Sequence, residues 1–240
     1  MVNLRYASVK TMIFSPHPDD CAFSLSGSLP YFKERGGVEL VTIFTQSRYA
    51  PRMGLTAKER ISDVRHGEEL QFVRRTKIQL TYLTFDDSSL RGYDDNTEIL
   101  AEPSTDPAYF PVKSQINNIL TRRKPELLLV PLGIGNHIDH LIVRNAVIDS
   151  NARAVDIGFY EELPYAADED LSTIARLACS FGNLSPVSLP IDISAKTESV
   201  QFYTSQIGHA ECEIIKTHSL RRYGIPTETT WSRFPSVTRI

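Results

Sequence analysis

Apolar residues fall along this chain in two alternating rhythms. Short continuous runs occupy Lys10–Ser15, Val38–Phe44, Ile78–Phe85, Glu126–Pro131 and Asp156–Tyr160, with a weaker one at Pro186–Ile191. The first, second and fourth are nearly unbroken, as strands buried on both faces of a parallel sheet are. Helical spacing predicts helices over Ser28–Arg35, Thr56–Arg74, Val112–Arg123, His137–Asn151 and Lys196–Lys216. The first ends at Gly36-Gly37, a C-terminal stop. The second opens with Thr56-Ala57-Lys58-Glu59, a capping-box pattern. The fourth sets Ile138, Leu141, Ile142 and Val147 on one face. Strand–helix alternation predicts an α/β fold, Rossmann-like, with a mostly parallel sheet and helices on both faces. One domain over residues 1–240 accommodates the pattern. Two stretches break it. Asp86–Pro111 is polar, carries three prolines and has no period, so a loop is expected there, of a length that marks function or disorder. The tail after Tyr223 reads as irregular.

The first apolar run is followed by Ser15-Pro16-His17-Pro18-Asp19-Asp20. Such a stretch buries little by itself, and its adjacent carboxylates repel each other. A second polar cluster, Gly135-Asn136-His137-Ile138-Asp139-His140, follows the run that ends at Pro131. Open α/β sheets gather ligands at the carboxyl ends of strands, where strand order reverses. If the two strands are neighbours there, the clusters face each other. His17 and Asp20 are three apart, as are His137 and His140, so each pair can aim at one point. Imidazoles with a carboxylate suit a catalytic zinc, which keeps three protein ligands and one open position. More polar groups are present than three ligands require, and the excess fits acid–base work, with Asp19 as base and one histidine as acid.

Composition removes other classes. The chain has 240 residues and a net charge of −3, so no general electrostatic pull toward nucleic acid exists. Three cysteines, with no CxxC, predict no disulfide framework. The first residues lack the pattern of a signal peptide, and no run approaches the roughly 20 apolar residues of a membrane span, so a cytoplasmic protein is expected. No GxGxxG follows the first strand, which argues against a dinucleotide site.

HPDD followed downstream by HxDH resembles the PIG-L/LmbE family of zinc-dependent N-deacetylases. Arg65-His66-Gly67-Glu68 is similar to the family's Arg-x-x-Glu helix. Phe159–Tyr165 and Lys196…Tyr203-Thr204-Ser205-Gln206 are similar to its later segments. The resemblance implies one zinc per chain, held by His17, Asp20 and His140, with another divalent metal able to replace it. It implies Asp19 as general base, His137 as the group that stabilises the oxyanion, Asp139 as the residue that tunes His137, and Arg65 in substrate binding. The implied substrate is a small-molecule amino sugar or glycoconjugate carrying an N-acyl group. The oligomeric state is left open. The family often has glutamate after HPDD and two glycines further on; here Cys21, Gly27 and Ser28 stand instead.

Plainer readings stand beside these. His17, Asp19 and Asp20 can form a strand-to-helix turn with an aspartate cap. His137 and His140 can belong to a polar helix start, with Asp139 favouring the helix dipole. Arg65 can pair with Glu68 on a solvated helix face. Glu161 and Glu162 can be substrate-binding or surface carboxylates, and Trp231 reads as packing. A metal-dependent esterase or phosphoesterase, or a non-catalytic metal-stabilised binding protein, is the alternative function. A spare base such as Asp19 has no use in a closed structural metal site.

Overall fold

The computed structural model describes residues 9–54, 58–94, 96–150 and 155–233. Within them, seven strands form one sheet: β1 (Val9–Ser15), β2 (Gly37–Gln46), β3 (Gln79–Asp86), β4 (Leu127–Pro131), β5 (Asp156–Tyr160), β6 (Ser185–Pro190) and β7 (Thr227–Ser232). Their order is β3-β2-β1-β4-β5-β7-β6. The pairings among β1 to β5 are parallel, while β7 runs antiparallel to β5 and β6. The sheet is therefore mixed and mostly parallel, as the apolar runs predict. Met12, Ile13 and Phe14 are successive and fully buried, so both faces of β1 are covered.

Nine helices complete the described residues: α1 (Asp20–Leu25), α2 (Leu29–Arg35), α3 (Lys58–Thr76), α4 (Tyr109–Arg123), α5 (Ile138–Ile148), α6 (Tyr165–Asp168), α7 (Leu171–Cys179), α8 (Ile193–Val200) and α9 (His209–Tyr223). The capping-box residues Thr56 and Ala57, and Asn151 at the end of the fourth predicted helix, lie outside the described residues. Strand order reverses between β1 and β4, whose registers align Met12 with Leu128 and Ile13 with Leu129. Both polar clusters leave the sheet at the carboxyl ends of these two strands, where a crevice opens.

Three expectations are corrected. The helix predicted over Lys196–Lys216 is two helices, α8 and α9. Glu68 of α3 takes the Ser205 amide at 2.8 Å and its hydroxyl at 2.6 Å, which diverts that backbone from helical bonding. Gly208 then starts a new helix, its amide bonded to the Glu211 carboxylate at 2.9 Å. The tail after Tyr223 contains β7, a strand of buried Thr, Glu, Trp and Ser that carries no apolar run. The loop expected over Asp86–Pro111 ends three residues early; its described part carries single 3₁₀ turns at Ser88–Leu90 and Pro103–Thr105. Helix α4 begins at Tyr109, with Pro111 tolerated in its first turn.

In β7, the burial of Glu228 rests on an ion pair. Glu228 lies 2.5 Å from Lys196 of α8, and both side chains are almost fully buried. Glu228 also accepts the Gly27 and Ser28 amides at 3.1 and 2.9 Å, and Lys196 donates to the Phe23 carbonyl at 2.6 Å. The pair thus ties the α1–α2 corner to the sheet. Glu228→Ala is expected to destabilise the protein by about 3–5 kcal/mol, because it strands a buried ammonium. Urea unfolding checks this, and a Glu228→Gln/Lys196→Met double variant should recover part of the loss.

Candidate active site

The turn after β1 is shaped by what its prolines cannot donate. Pro16 and Pro18 lack N–H groups, so neither strand nor helix can continue through them. The Ser15 hydroxyl donates to the His17 carbonyl at 2.8 Å and accepts the Cys21 amide at 3.2 Å. Asp20 accepts the His17 amide at 2.8 Å. Asp19, preceding α1, has φ of 130°, a strained backbone held at a functional turn. On the other side of the crevice, His137 caps α5, its Nδ1 accepting the Asp139 amide at 3.1 Å. His140, one turn along, is fully buried.

The side chains converge. Asp20 Oδ2 lies 3.4 Å from His17 Nδ1, and Asp20 Oδ1 lies 3.4 Å from His140 Nε2. Each imidazole has its other nitrogen on a carboxylate: His17 Nε2 on Asp139 at 2.9 Å, and His140 Nδ1 on Glu162 at 3.3 Å. Burial disfavours a charged His17, yet Asp139 and Asp20 outweigh it and raise the imidazole to about 10, so the surrounding carboxylates favour positive charge at this point, be it a proton or a cation. Against the cost of burial, His140 and His17 hold Asp20 well below the usual carboxylate range.

Two overlapping triads could hold a metal ion, His17–Asp20–His140 and His17–His137–Asp139, each with ligand atoms within 4.8 Å of one another. Their existing bonds separate them. In the second, Asp139 is taken up by His17, by the Ser88 amide at 2.9 Å and by Arg91 at 2.6 Å. His137 Nδ1 is on its own helix, and its Nε2 lies 3.3 Å from Glu98. In the first, His140 Nε2 is buried with no hydrogen-bond partner. Carboxylates on the far nitrogens of His17 and His140 leave Nδ1 of one and Nε2 of the other facing Asp20. That is the arrangement by which outer carboxylates orient metal-binding histidines. The donor set of the first triad therefore fits a divalent ion.

Around this point stand the remaining groups. Asp19 lies 3.3 Å from Arg65, and burial pushes its carboxyl up to about 7 although Arg65 pulls it down. Arg65 is buried, bonds Ser47 at 3.1 Å and approaches Asp87 at 3.8 Å. Its predicted partner Glu68 turns instead to Ser205, so Arg65 faces the site and not a solvated helix face. His137 is held neutral, its value lowered to about 3 by burial and then by the neighbouring His17. With Nδ1 an acceptor, its proton is on Nε2. The Asp139 carboxylate meets His17 rather than the His137 ring; only its amide reaches His137. A cavity of about 390 Å³ opens over Asp19, Asp20, His17 and His137, a size suited to a small-molecule ligand.

Cys21 is buried on α1 and belongs to neither triad; burial raises its thiol well above the usual value. His66 stacks on Tyr82 away from the cluster. Trp231 packs and donates to Glu161 at 3.0 Å. Glu162, which the sequence allows as a substrate-binding or a surface carboxylate, is fully buried. It bonds His140 and accepts the Gly133 amide at 2.5 Å. Its signal was present: it follows β5, the parallel neighbour of β4, so it emerges at the same sheet edge. Glu98 and Arg91 come from the aperiodic 86–111 segment, which offers no such signal.

The family model described as PIG-L, GlcNAc-PI de-N-acetylase, matches residues 12–151, a span that includes both clusters. The chain belongs to the PIG-L family. The 2'-N-acetylparomamine deacetylase of Streptomyces fradiae is 33% identical over 229 residues, 92% of this chain and 81% of that protein. Among solved structures, a deacetylase of the teicoplanin biosynthesis pathway superposes with a TM-score of 0.77 at 22% identity, over 93% of this chain and 97% of that one. The zinc-inhibited form of teicoplanin deacetylase gives a TM-score of 0.73 at 20% identity over the same shares. These two likenesses are of fold. Among the described residues no helix is long and apolar enough to cross a membrane.

Proposed function

We propose that this chain is a metal-dependent amide hydrolase that removes an N-acetyl group from an amino sugar within a small glycoside or glycoconjugate. The observation that carries the reading is the buried, unpartnered His140 Nε2 facing Asp20, with Asp19 beside it as a base. The amino-sugar deacetylase of Streptomyces fradiae, covered over most of its length, supports the substrate class.

His17, Asp20 and His140 would hold the ion, zinc by donor type, with iron or cobalt also compatible. When bound, such an ion polarises the amide carbonyl and raises the acidity of water. Asp19 takes the proton from water as its oxygen attacks the carbonyl carbon. The carbonyl oxygen then carries the negative charge, and the Nε2–H of His137 donates to it. Asp19 returns the proton to nitrogen as the C–N bond breaks, giving acetic acid and the amine, which exchange a proton to leave as acetate and ammonium. Arg65 holds the Asp19 carboxylate in line, and Asp139 and Glu162 fix the two imidazoles.

The test is metal removal. Chelation is expected to abolish amine release from N-acetylglucosaminides, and one equivalent of zinc, iron or cobalt to restore it. Acetate ester or phosphate release without amine release would overturn the amide reading, and full activity after complete chelation would overturn the metal.

A further inference from the structure

Two hydrogen-bond donors in the cavity converge on one oxygen. The Ser88 hydroxyl donates to Glu98 Oε2 at 2.8 Å, and His137 Nε2 lies 3.3 Å from the same atom. All three residues line the cavity, beside His17, Asp19 and Asp20. His137 Nδ1 accepts the Asp139 amide, so the ring proton is on Nε2 and faces Glu98. A carboxylate oxygen and the oxyanion of a tetrahedral intermediate ask for the same surroundings. Each carries negative charge on oxygen and is met by fixed N–H or O–H groups, about 2.7–3.1 Å away in a working oxyanion site.

The two donors are anchored, and the acceptor rides on a different piece of chain. Ser88 is buried; its amide donates to Asp139 at 2.9 Å, and its carbonyl accepts the Arg91 and Tyr93 amides at 3.0 and 3.3 Å. The neighbouring Ser89 also lines the cavity, but its hydroxyl proton is spent on Asp87 at 2.5 Å. Glu98 belongs to a turn closed by its own bonds, with the Thr97 and Glu98 amides on the Asp94 carbonyl at 3.1 and 3.0 Å. Asn96, Thr97, Ile99 and Leu100 of that turn are exposed. Gly92, with φ of 91° and open space where a side chain would stand, precedes the turn and follows the fixed Ser88. The Glu98 carboxylate can therefore leave while Ser88 and His137 stay.

We infer that Ser88 is a catalytic residue, the second donor to the substrate's oxyanion beside His137, and that Glu98 is a built-in competitor for that place, which the substrate displaces. The inference rests on the deacetylase reading and deepens it. A second anionic oxygen within hydrogen-bond range of these donors is repelled by the Glu98 carboxylate, so the two exclude each other.

Ser88→Ala should lower kcat for amine release about a hundredfold, with KM nearly unchanged. Glu98→Ala should lower KM roughly threefold to tenfold, because the substrate no longer competes with a resident carboxylate. The double variant separates the two roles of Ser88. If the hydroxyl serves the oxyanion, Ser88→Ala costs the same factor in the Glu98→Ala background. If it only holds Glu98, the loss vanishes there, and the catalytic assignment is overturned. A kcat for Ser88→Ala within about threefold of the parent overturns it as well. Unchanged KM in Glu98→Ala overturns the competitor. Should no amide be cleaved, the deacetylase reading fails separately, and calorimetric titration of the metal-loaded proteins with acetate decides this inference. Acetate should bind Glu98→Ala more tightly than the parent, and the double variant less tightly than Glu98→Ala. Equal binding by all three proteins, or binding by none, overturns it.

Discussion

Replacing Asp19 by asparagine is expected to slow amine release by roughly 10²–10⁴-fold while the protein keeps its metal. The size of the effect follows from what the side chain is asked to do. It is a buried carboxylate 3.3 Å from Arg65 that lines the cavity, and burial moves its proton affinity toward neutrality. A base of that strength both accepts and returns a proton near pH 7. Asparagine keeps the size and shape of the native side chain at a position whose φ is 130°, so the backbone of the turn should hold. It cannot take a proton. Metal content and far-ultraviolet circular dichroism, measured on the same preparation as the rate, separate a chemical loss from a collapsed turn. A rate within tenfold of the parent, with metal retained, would assign the base elsewhere; loss of metal along with activity would make Asp19 structural.

Much of the fold is written in the apolar runs. Strands buried on both faces, such as β1 and β4, announce themselves because every residue must be apolar. Strand β7 does not. Thr227–Ser232 is buried through hydrogen bonds and the Lys196–Glu228 pair, and a strand stabilised that way has the composition of a surface loop. The break between α8 and α9 is hidden for a similar reason. Glu68, far away in sequence, captures Ser205, and no local pattern records the capture. Gly208 is the one local sign of it.

The site divides along the same line. His17, Asp20, His137 and His140 are legible because two short motifs sit at the ends of two buried runs, and parallel-sheet topology makes those ends meet. Glu162 is legible in principle by the same logic, from its place after β5. The partners of Asp139 are not. Arg91 and Ser88 reach it from a segment without period, and their positions depend on how that segment folds back over the sheet. Local motifs can name the groups at the centre; the groups that orient them come from long-range packing.

That division frames the second large effect. His140→Ala is expected to leave no stoichiometric metal after purification and no detectable amine release, whereas His137→Ala should keep the metal and lose most of the rate. Both histidines are within ring contact of His17 and each belongs to one of the two possible triads, so proximity does not distinguish them. Their other bonds do. His140 directs a bare, buried nitrogen at Asp20, and removing it takes away a third of the proposed donor set. His137 caps its own helix through Nδ1 and turns its Nε2 toward Glu98 in the cavity, so a developing oxyanion would take that Nε2–H in place of the Glu98 carboxylate. Glu162→Gln is the graded control: it keeps the side chain's size but weakens the carboxylate–histidine bond, and should lower metal affinity about 10–100-fold. Chelator competition followed by metal analysis reads all three variants. Retained metal in His140→Ala together with lost metal in His137→Ala would move the ion to the other triad, and with it the assignment of which histidine meets the substrate.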